Sequence, residues 1–461
     1  MQVQPDIVTN FGFQFGIDGE LERLATLAES SCSLTSVYGW AGPRSEAVAP
    51  AHESRVRERP RRLTWLWGPA FVAAIAYVDP GNVAANLTAG ARYGYLLVWV
   101  LVLANAMALL VQYLSAKTGL VTGQSLPELL GSRMRRGPRL AFWAQAELVA
   151  AATDLAEVVG GAIALQILFG VPLLVGGLIV GVVSMVLLAI QNRRGQRPFE
   201  FVVMGLLLVI TVGFVAGLFV SDVDWGAAVG GLVPRFDGPQ TVLLAASMLG
   251  ATVMPHAIYV HSSLARDRHG NPGHHELPRI LHATRWDVLA SMLVAGAVNI
   301  AMLLLAAASL SGVSGTDSIQ GAHAAIGQTL GPMVAALFGI GLLASGLAST
   351  SVGCYAGSTI MEGLLKVRIP LLARRVITLI PALALLASGV DPTWALVLSQ
   401  VLLSLGIPFA LIPLVWLSSD RRLMGTFANT GSLRVLAWTV VALIVSLNLA
   451  LIVLTVTGAG G

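Results

Sequence analysis

Long apolar blocks make up most of this chain, and short stretches rich in arginine, glycine and proline separate them. Eleven blocks approach the ~20 residues an α-helix needs to cross a bilayer. They lie at about 65–90, 95–117, 140–169, 172–191, 200–221, 239–265, 286–311, 324–347, 370–389, 392–417 and 433–457. In lipid only helices and closed barrels satisfy their own backbone, so blocks of this length predict an all-α membrane protein of eleven transmembrane helices. Residues 1–60 mix Ser, Glu, Pro and Arg without the apolar core of a signal peptide, and are expected to form a disordered or weakly helical tail. The expected organisation is that tail, a core of ten helices over 61–420, and an eleventh helix with the C-terminus over 421–461.

Two of the blocks contain residues that a helix in lipid does not tolerate without a reason. The first reads Ala76-Tyr77-Val78-Asp79-Pro80-Gly81-Asn82, and the sixth reads Gly250-Ala251-Thr252-Val253-Met254-Pro255-His256. Proline lacks the N–H and crowds the preceding turn, while glycine is a poor helix former, so both helices are expected to open at these points. Breaks five spans apart have a topological meaning. A five-span unit enters the membrane from opposite sides in its two copies, which predicts the inverted repeat of LeuT-like transporters, spans 1–5 against 6–10, with the site between the breaks. No residue-level identity between the halves accompanies the paired breaks.

Composition narrows the class. Of 461 residues 56% are hydrophobic and 11% are charged, against ~25% charged in soluble domains. The formal charge of +4 does not imply nucleic acid, because the cations sit in short loops where they act as topology signals. With the N-terminus inside, Lys117, Arg133, Arg135, Arg136, Arg193, Arg194, Arg197, Arg266, Arg268, Lys366 and Arg421 all fall on the cytoplasmic side. The outward loops carry only Arg92 and Arg235. An odd span count then puts the C-terminus outside, in a multi-pass protein of the plasma membrane. Cys32 and Cys354 are the only cysteines, too few and too scattered for a disulfide framework or a thiolate site. No Walker loop is present, and His274-His275-Glu276-Leu277 lacks the second zinc-protease histidine, since that position is Arg279. Gly177 and Gly181 in the fourth span, with Gly339, Gly341, Ser345 and Gly346 in the eighth, are expected to permit close helix packing and carry no chemistry.

At the breaks, the Asp79 carboxylate, the Asn82 amide oxygen, the carbonyls of Ala76 and Ala251, and the Met254 thioether would offer hard oxygens and one soft sulfur. Such a set suits Mn²⁺, Fe²⁺, Co²⁺ or Cd²⁺ better than Mg²⁺ or Ca²⁺ and is not a zinc cage. The alternatives are a proline kink with a paired or protonated Asp79, and a Met254 that only fills space. Glu147, Asp154 and Glu157 lie near one face of the third span, where they form either a proton relay or a salt-bridge network. His256 either handles protons or bonds the broken helix. His261 follows it by one turn, and Arg374 and Arg375 open the ninth span.

The Asp79-Pro80-Gly81-Asn82 and Met254-Pro255-His256 motifs resemble the paired signatures of the Nramp family of proton-coupled divalent-metal transporters, in particular its bacterial manganese importers. The resemblance extends over about residues 65–457. It includes Gln112-Tyr113-Leu114-Ser115-Ala116-Lys117 with Thr122-Gly123, Thr153-Asp154-Leu155-Ala156-Glu157, and Ser399-Gln400 with Gly406-Ile407-Pro408-Phe409-Ala410. It implies metal binding by Asp79, Asn82 and Met254 with the two carbonyls, joined by Gln400 in some conformations. It also implies a proton route from Asp79 through Asp154 and Glu157 towards the cytoplasm, tuned by His261, Arg374 and Arg375. The metal and the proton are then substrates, and no prosthetic group, enzyme activity, nucleic acid or obligatory protein partner is implied. Two rivals stand beside this expectation: a sodium-coupled amino-acid symporter of the same fold, and a gated cation channel.

Overall fold

A computed structural model describes residues 68–457 apart from Asn271, His274, Asp317 and Asp391. The expected tail over 1–60 lies outside the described residues. The first block is broken into α1 (Pro69–Ala74), a 3-10 turn (Ile75–Val78) and α2 (Pro80–Tyr93). Then follow α3 (Val98–Thr122), the short α4 (Leu126–Arg133), α5 (Arg136–Phe169), α6 (Leu173–Arg194) and α7 (Gln196–Val215). A six-residue helix, α8 (Trp225–Gly230), precedes the sixth block, which is split into α9 (Pro239–Thr252) and α10 (Pro255–His269). The second half continues with α11 (Leu277–Ser309), α12 (Ile319–Thr329), α13 (Pro332–Ile360), α14 (Leu371–Ala387), α15 (Pro392–Ser418), α16 (Arg421–Met424) and α17 (Gly431–Val456).

Helix therefore occupies each of the eleven expected blocks. Among the described residues eight helices are by themselves long and apolar enough to cross a membrane, or nine if the bent pair Leu402–Ser418 and Arg421–Phe427 is one span. Two boundaries differ from the hydropathy pattern. The seventh helix starts at Leu277 rather than near 286, because Leu277, Ile280, Leu281 and Thr284 keep one buried face through a polar stretch. The eighth apolar block runs over 324–347, but residues 324–329 belong to α12. A new helix begins at Pro332 after Gly331, whose φ of 95° suits glycine and ends the earlier helix.

The packing follows the inverted repeat. α2 of the first span packs along α11, the seventh, while α10 of the sixth packs along α3, the second. Exchanging the halves converts one pair into the other. The same exchange relates α7 against α13 to α5 against α15, and it leaves the pairs α5–α13, α3–α11 and α6–α14 unchanged. Small residues set these approaches: a Cβ on Gly346 of α13 would lie 2.8 Å from the Gly161 Cα of α5. Side chains at Gly177 and Gly181 would strike Leu386 and Leu379 of α14, so the expected packing role holds there. The broken helices lie innermost, and Ala76, Asp79, Ala251 and Met254 are fully buried.

Candidate metal site at the two helix breaks

The 3-10 turn ends at Val78, and Asp79 is extended (φ −71°, ψ 168°) before α2 begins at Pro80. Asp79 caps α2: its Oδ1 accepts from the Asn82 backbone N–H at 2.9 Å and from Asn82 Nδ2 at 2.7 Å. A carboxylate at a helix N-terminus is favoured by the helix dipole, so this break holds its own negative charge. The second break spans Val253 and Met254, both non-helical, and α10 starts at Pro255. Asn82 joins the two, because its Nδ2 also donates to the Ala251 carbonyl at 2.8 Å. The sequence treats the Asn82 amide and the Ala251 carbonyl as neighbouring acceptors, whereas the fold links them by a hydrogen bond. That leaves Asn82 Oδ1 and Asp79 Oδ2 buried without a protein partner among the described residues.

Gln400 of α15 completes the cluster. A Cβ on Gly81 would collide with Gln400 Nε2 and sit 3.1 Å from Asp79 Oδ2, so glycine at 81 leaves room for the Gln400 amide beside the break. Both polar atoms of Gln400 are also buried and unpartnered. A buried polar group left unmatched costs about 1–3 kcal/mol, and four of them on three side chains beside the breaks make a place built to receive a polar ligand. Among the described residues no three His, Cys, Asp or Glu side chains converge, and the polar side chains gathered beside the breaks are one acid and two amides.

The acids of α5 divide into two kinds. Glu147 pairs with Arg374 Nη2 at 2.6 Å, and Asp154 takes both oxygens to Arg375 Nη1 at 2.6 and 2.7 Å. Thr350 Oγ1 also donates to Asp154 at 2.5 Å, and Arg375 Nε donates to Ser184 at 2.6 Å. Glu157 is different: it faces Gly353 of α13, is fully buried, and neither oxygen has a partner among the described residues. His261 Nδ1 lies 2.7 Å from Gln112 Oε1, and Gln112 Nε2 donates to the Tyr77 hydroxyl at 2.5 Å, which ties His261 to the first break. His256 is buried with neither ring nitrogen partnered among the described residues, so the helix-break bond expected as one option is not made.

Residues 70–454 match the family model described as natural resistance-associated macrophage protein-like. The chain belongs to the Nramp family. This Nramp chain is 61% identical over 399 residues to the divalent metal cation transporter MntH of Mycobacterium tuberculosis strain H37Rv, covering 86% of this chain and 93% of the relative. Its fold matches the crystal structure of the Eremococcus coleocola manganese transporter with a TM-score of 0.76 at 31% identity, over 84% of this chain and 85% of that one. A weaker likeness, TM-score 0.52 at 15% identity over 84% and 89% of the two chains, links it to MHP1, a nucleobase-cation-symport-1 family transporter. The Nramp chain thus has the LeuT-like fold expected from its paired breaks.

Several residues that hold this Nramp site in place escaped the sequence. Asn299 Nδ2 of α11 donates to the Tyr77 carbonyl at 2.7 Å and Ser345 Oγ of α13 donates to the Val78 carbonyl at 2.6 Å, so two carbonyls beside the break are held from neighbouring helices. Asn299 Oδ1 in turn accepts from Asn86 at 2.9 Å. Ser345 was expected to serve packing alone, and its hydrogen bond corrects that. The available signal was the amide pair itself, Asn86 and Asn299, each inside a predominantly apolar block.

Proposed function

We propose that this Nramp protein is a secondary active transporter that imports divalent transition-metal ions, Mn²⁺ foremost and also Fe²⁺, Co²⁺ and Cd²⁺, coupled to protons by alternating access. The observation that carries the proposal is the junction of the two breaks. One asparagine bridges Asp79 to the Ala251 carbonyl, and unmatched oxygens of Asp79, Asn82 and Gln400 collect around it. In this reading Asp79 supplies the negative charge, Asn82 and Gln400 the amide oxygens, Ala76 and Ala251 the carbonyls, and Met254 the soft ligand. An anionic carboxylate at that depth disfavours a carboxylate substrate, which separates this function from amino-acid symport. The relatives named above are a divalent metal cation transporter and a manganese transporter, and their names support the same substrate class.

Proton transfer is assigned to Asp79, His256, Glu157 and Asp154, with Glu147, His261, Arg374 and Arg375 shaping the route. Glu157 and His256 support it because they are buried and unpartnered, free to gain and lose a proton without breaking a bond. Protons pass inward with the N-terminus in the cytoplasm and the C-terminus outside. The test is Mn²⁺ uptake into proteoliposomes that contain a pH dye. Wild type should accumulate Mn²⁺ and acidify the lumen, and Asp79→Ala should insert normally yet take up none. Near-wild-type uptake by that variant would overturn the ligand assignment.

A further inference from the structure

α17 lies outside the two repeats, yet one of its side chains reaches into the core. Asn448 is the only amide or charged residue of α17 beyond Arg434. Such a group at membrane depth is costly and needs a partner. It is buried, and both halves of its amide go to one residue, Ser404 of α15. Asn448 Nδ2 donates to the Ser404 carbonyl at 2.6 Å, and Asn448 Oδ1 accepts from the Ser404 hydroxyl.

The Ser404 carbonyl needs that donor. In an unbroken helix it would accept from the N–H four residues on, but that residue is Pro408, which has none. Asn448 therefore supplies from another helix the bond that the proline removes. The serine hydroxyl is diverted too: Ser399 of the same helix bonds the Leu396 carbonyl of its own turn at 2.7 Å, whereas Ser404 bonds across to α17. On its other side Ser404 meets α9, where a Cβ on Gly250 would lie 3.1 Å from the Ser404 Cβ. The next residue of α9, Ala251, carries the carbonyl that Asn82 bonds. One turn back along the same face of α15 is Gln400, beside Gly81. α17 packs along both α9 and α15. A helix bends most easily where proline has removed a bond, so the placing of Gln400 depends on what holds the turn 404–408.

We infer that Asn448 is a positioning residue for the metal site: it holds the proline-weakened turn of α15 and thereby keeps Gln400 at the first break, with its amide oxygen available to the ion. Asn448 acts only through Ser404 and Gln400 and does not itself bind metal. The inference rests on the proposed metal site and gives α17 a part in setting metal affinity.

Mn²⁺ binding to the purified full chain, measured by titration calorimetry, tests it. Asn448→Leu keeps the volume and removes the amide, and it should weaken Mn²⁺ binding roughly tenfold, as the loss of a group behind a metal ligand does. Gln400→Leu should weaken binding at least as much, and the N448L/Q400L double variant should be no weaker than Gln400→Leu alone, because the first residue acts through the second. Pro408→Ala returns an N–H to the Ser404 carbonyl, so N448L/P408A should regain both affinity and thermal stability relative to Asn448→Leu. A double variant that regains neither overturns the role of Asn448. Additive losses in N448L/Q400L also overturn it, since a general loosening of the bundle would add to the loss of the ligand. Asp79→Ala separates the two readings: wild-type Mn²⁺ binding by that variant overturns the metal site and this inference with it. Lost binding in Asp79→Ala with undiminished affinity in Asn448→Leu overturns the inference alone.

Discussion

At the scale of single residues, the candidate site depends on small differences in what each atom is free to do. Asp79 uses one oxygen to cap its own helix and keeps the other unmatched, and Asn82 uses its nitrogen to join the two breaks and keeps its oxygen unmatched. Met254 is fully buried at the break before α10, and in the proposed site its thioether joins this oxygen-rich set. Hard cations such as Mg²⁺ and Ca²⁺ gain almost nothing from sulfur, and the thioether fills a position that water or oxygen could take. Met254→Ala should therefore retain measurable Mn²⁺ transport, lose much of its affinity for Cd²⁺, and become inhibited by millimolar Ca²⁺. Uptake of Mn²⁺ and Cd²⁺ with and without Ca²⁺ in both proteins reads this out. Unchanged discrimination among the three ions would reduce Met254 to packing.

At the scale of elements, α5 carries three acids in two roles. Asp154 and Arg375 are both buried and bonded to each other, so removing the arginine leaves an uncompensated charge in a low-dielectric interior. Arg375→Ala is expected to cost about 3–5 kcal/mol, seen as a lowered thermal unfolding midpoint in detergent. Glu157, one turn further along, has no such bond to lose. Glu157→Gln should leave the unfolding midpoint near that of wild type, while metal-driven proton influx falls or its pH profile moves with little change in metal affinity. If both variants lose stability equally and proton influx is intact in Glu157→Gln, α5 is a structural salt-bridge helix and the proton route lies elsewhere.

At the scale of the whole molecule, the arrangement of cations argues for orientation. Arg193 and Arg194 end α6, and Ser314 lies in the connection between α11 and α12. In a background with Cys32 and Cys354 replaced, an impermeant thiol reagent applied to intact cells should label Ser314→Cys and spare Arg194→Cys. The opposite pattern would invert the topology.

Helix positions, the two breaks and the inverted repeat were legible in the sequence because they depend on local physics. A ~20-residue apolar run has no other way to satisfy its backbone in lipid, and proline with glycine opens a helix wherever it falls. Family membership was legible too, since the Asp79-Pro80-Gly81-Asn82 and Met254-Pro255-His256 motifs are contiguous. Contacts between residues far apart in the chain were not legible. Nothing in the order of residues says that Asn82 reaches Ala251, that Gln400 settles over Gly81, or that Asn299 and Ser345 hold the carbonyls of Tyr77 and Val78. Nor does it say which acid of α5 meets an arginine, because spacing along a helix fixes a face but not the neighbour on that face. Those pairings were decided by how the two halves pack, where glycine-sized gaps set the distance between helices and each buried polar group takes whichever partner that distance allows.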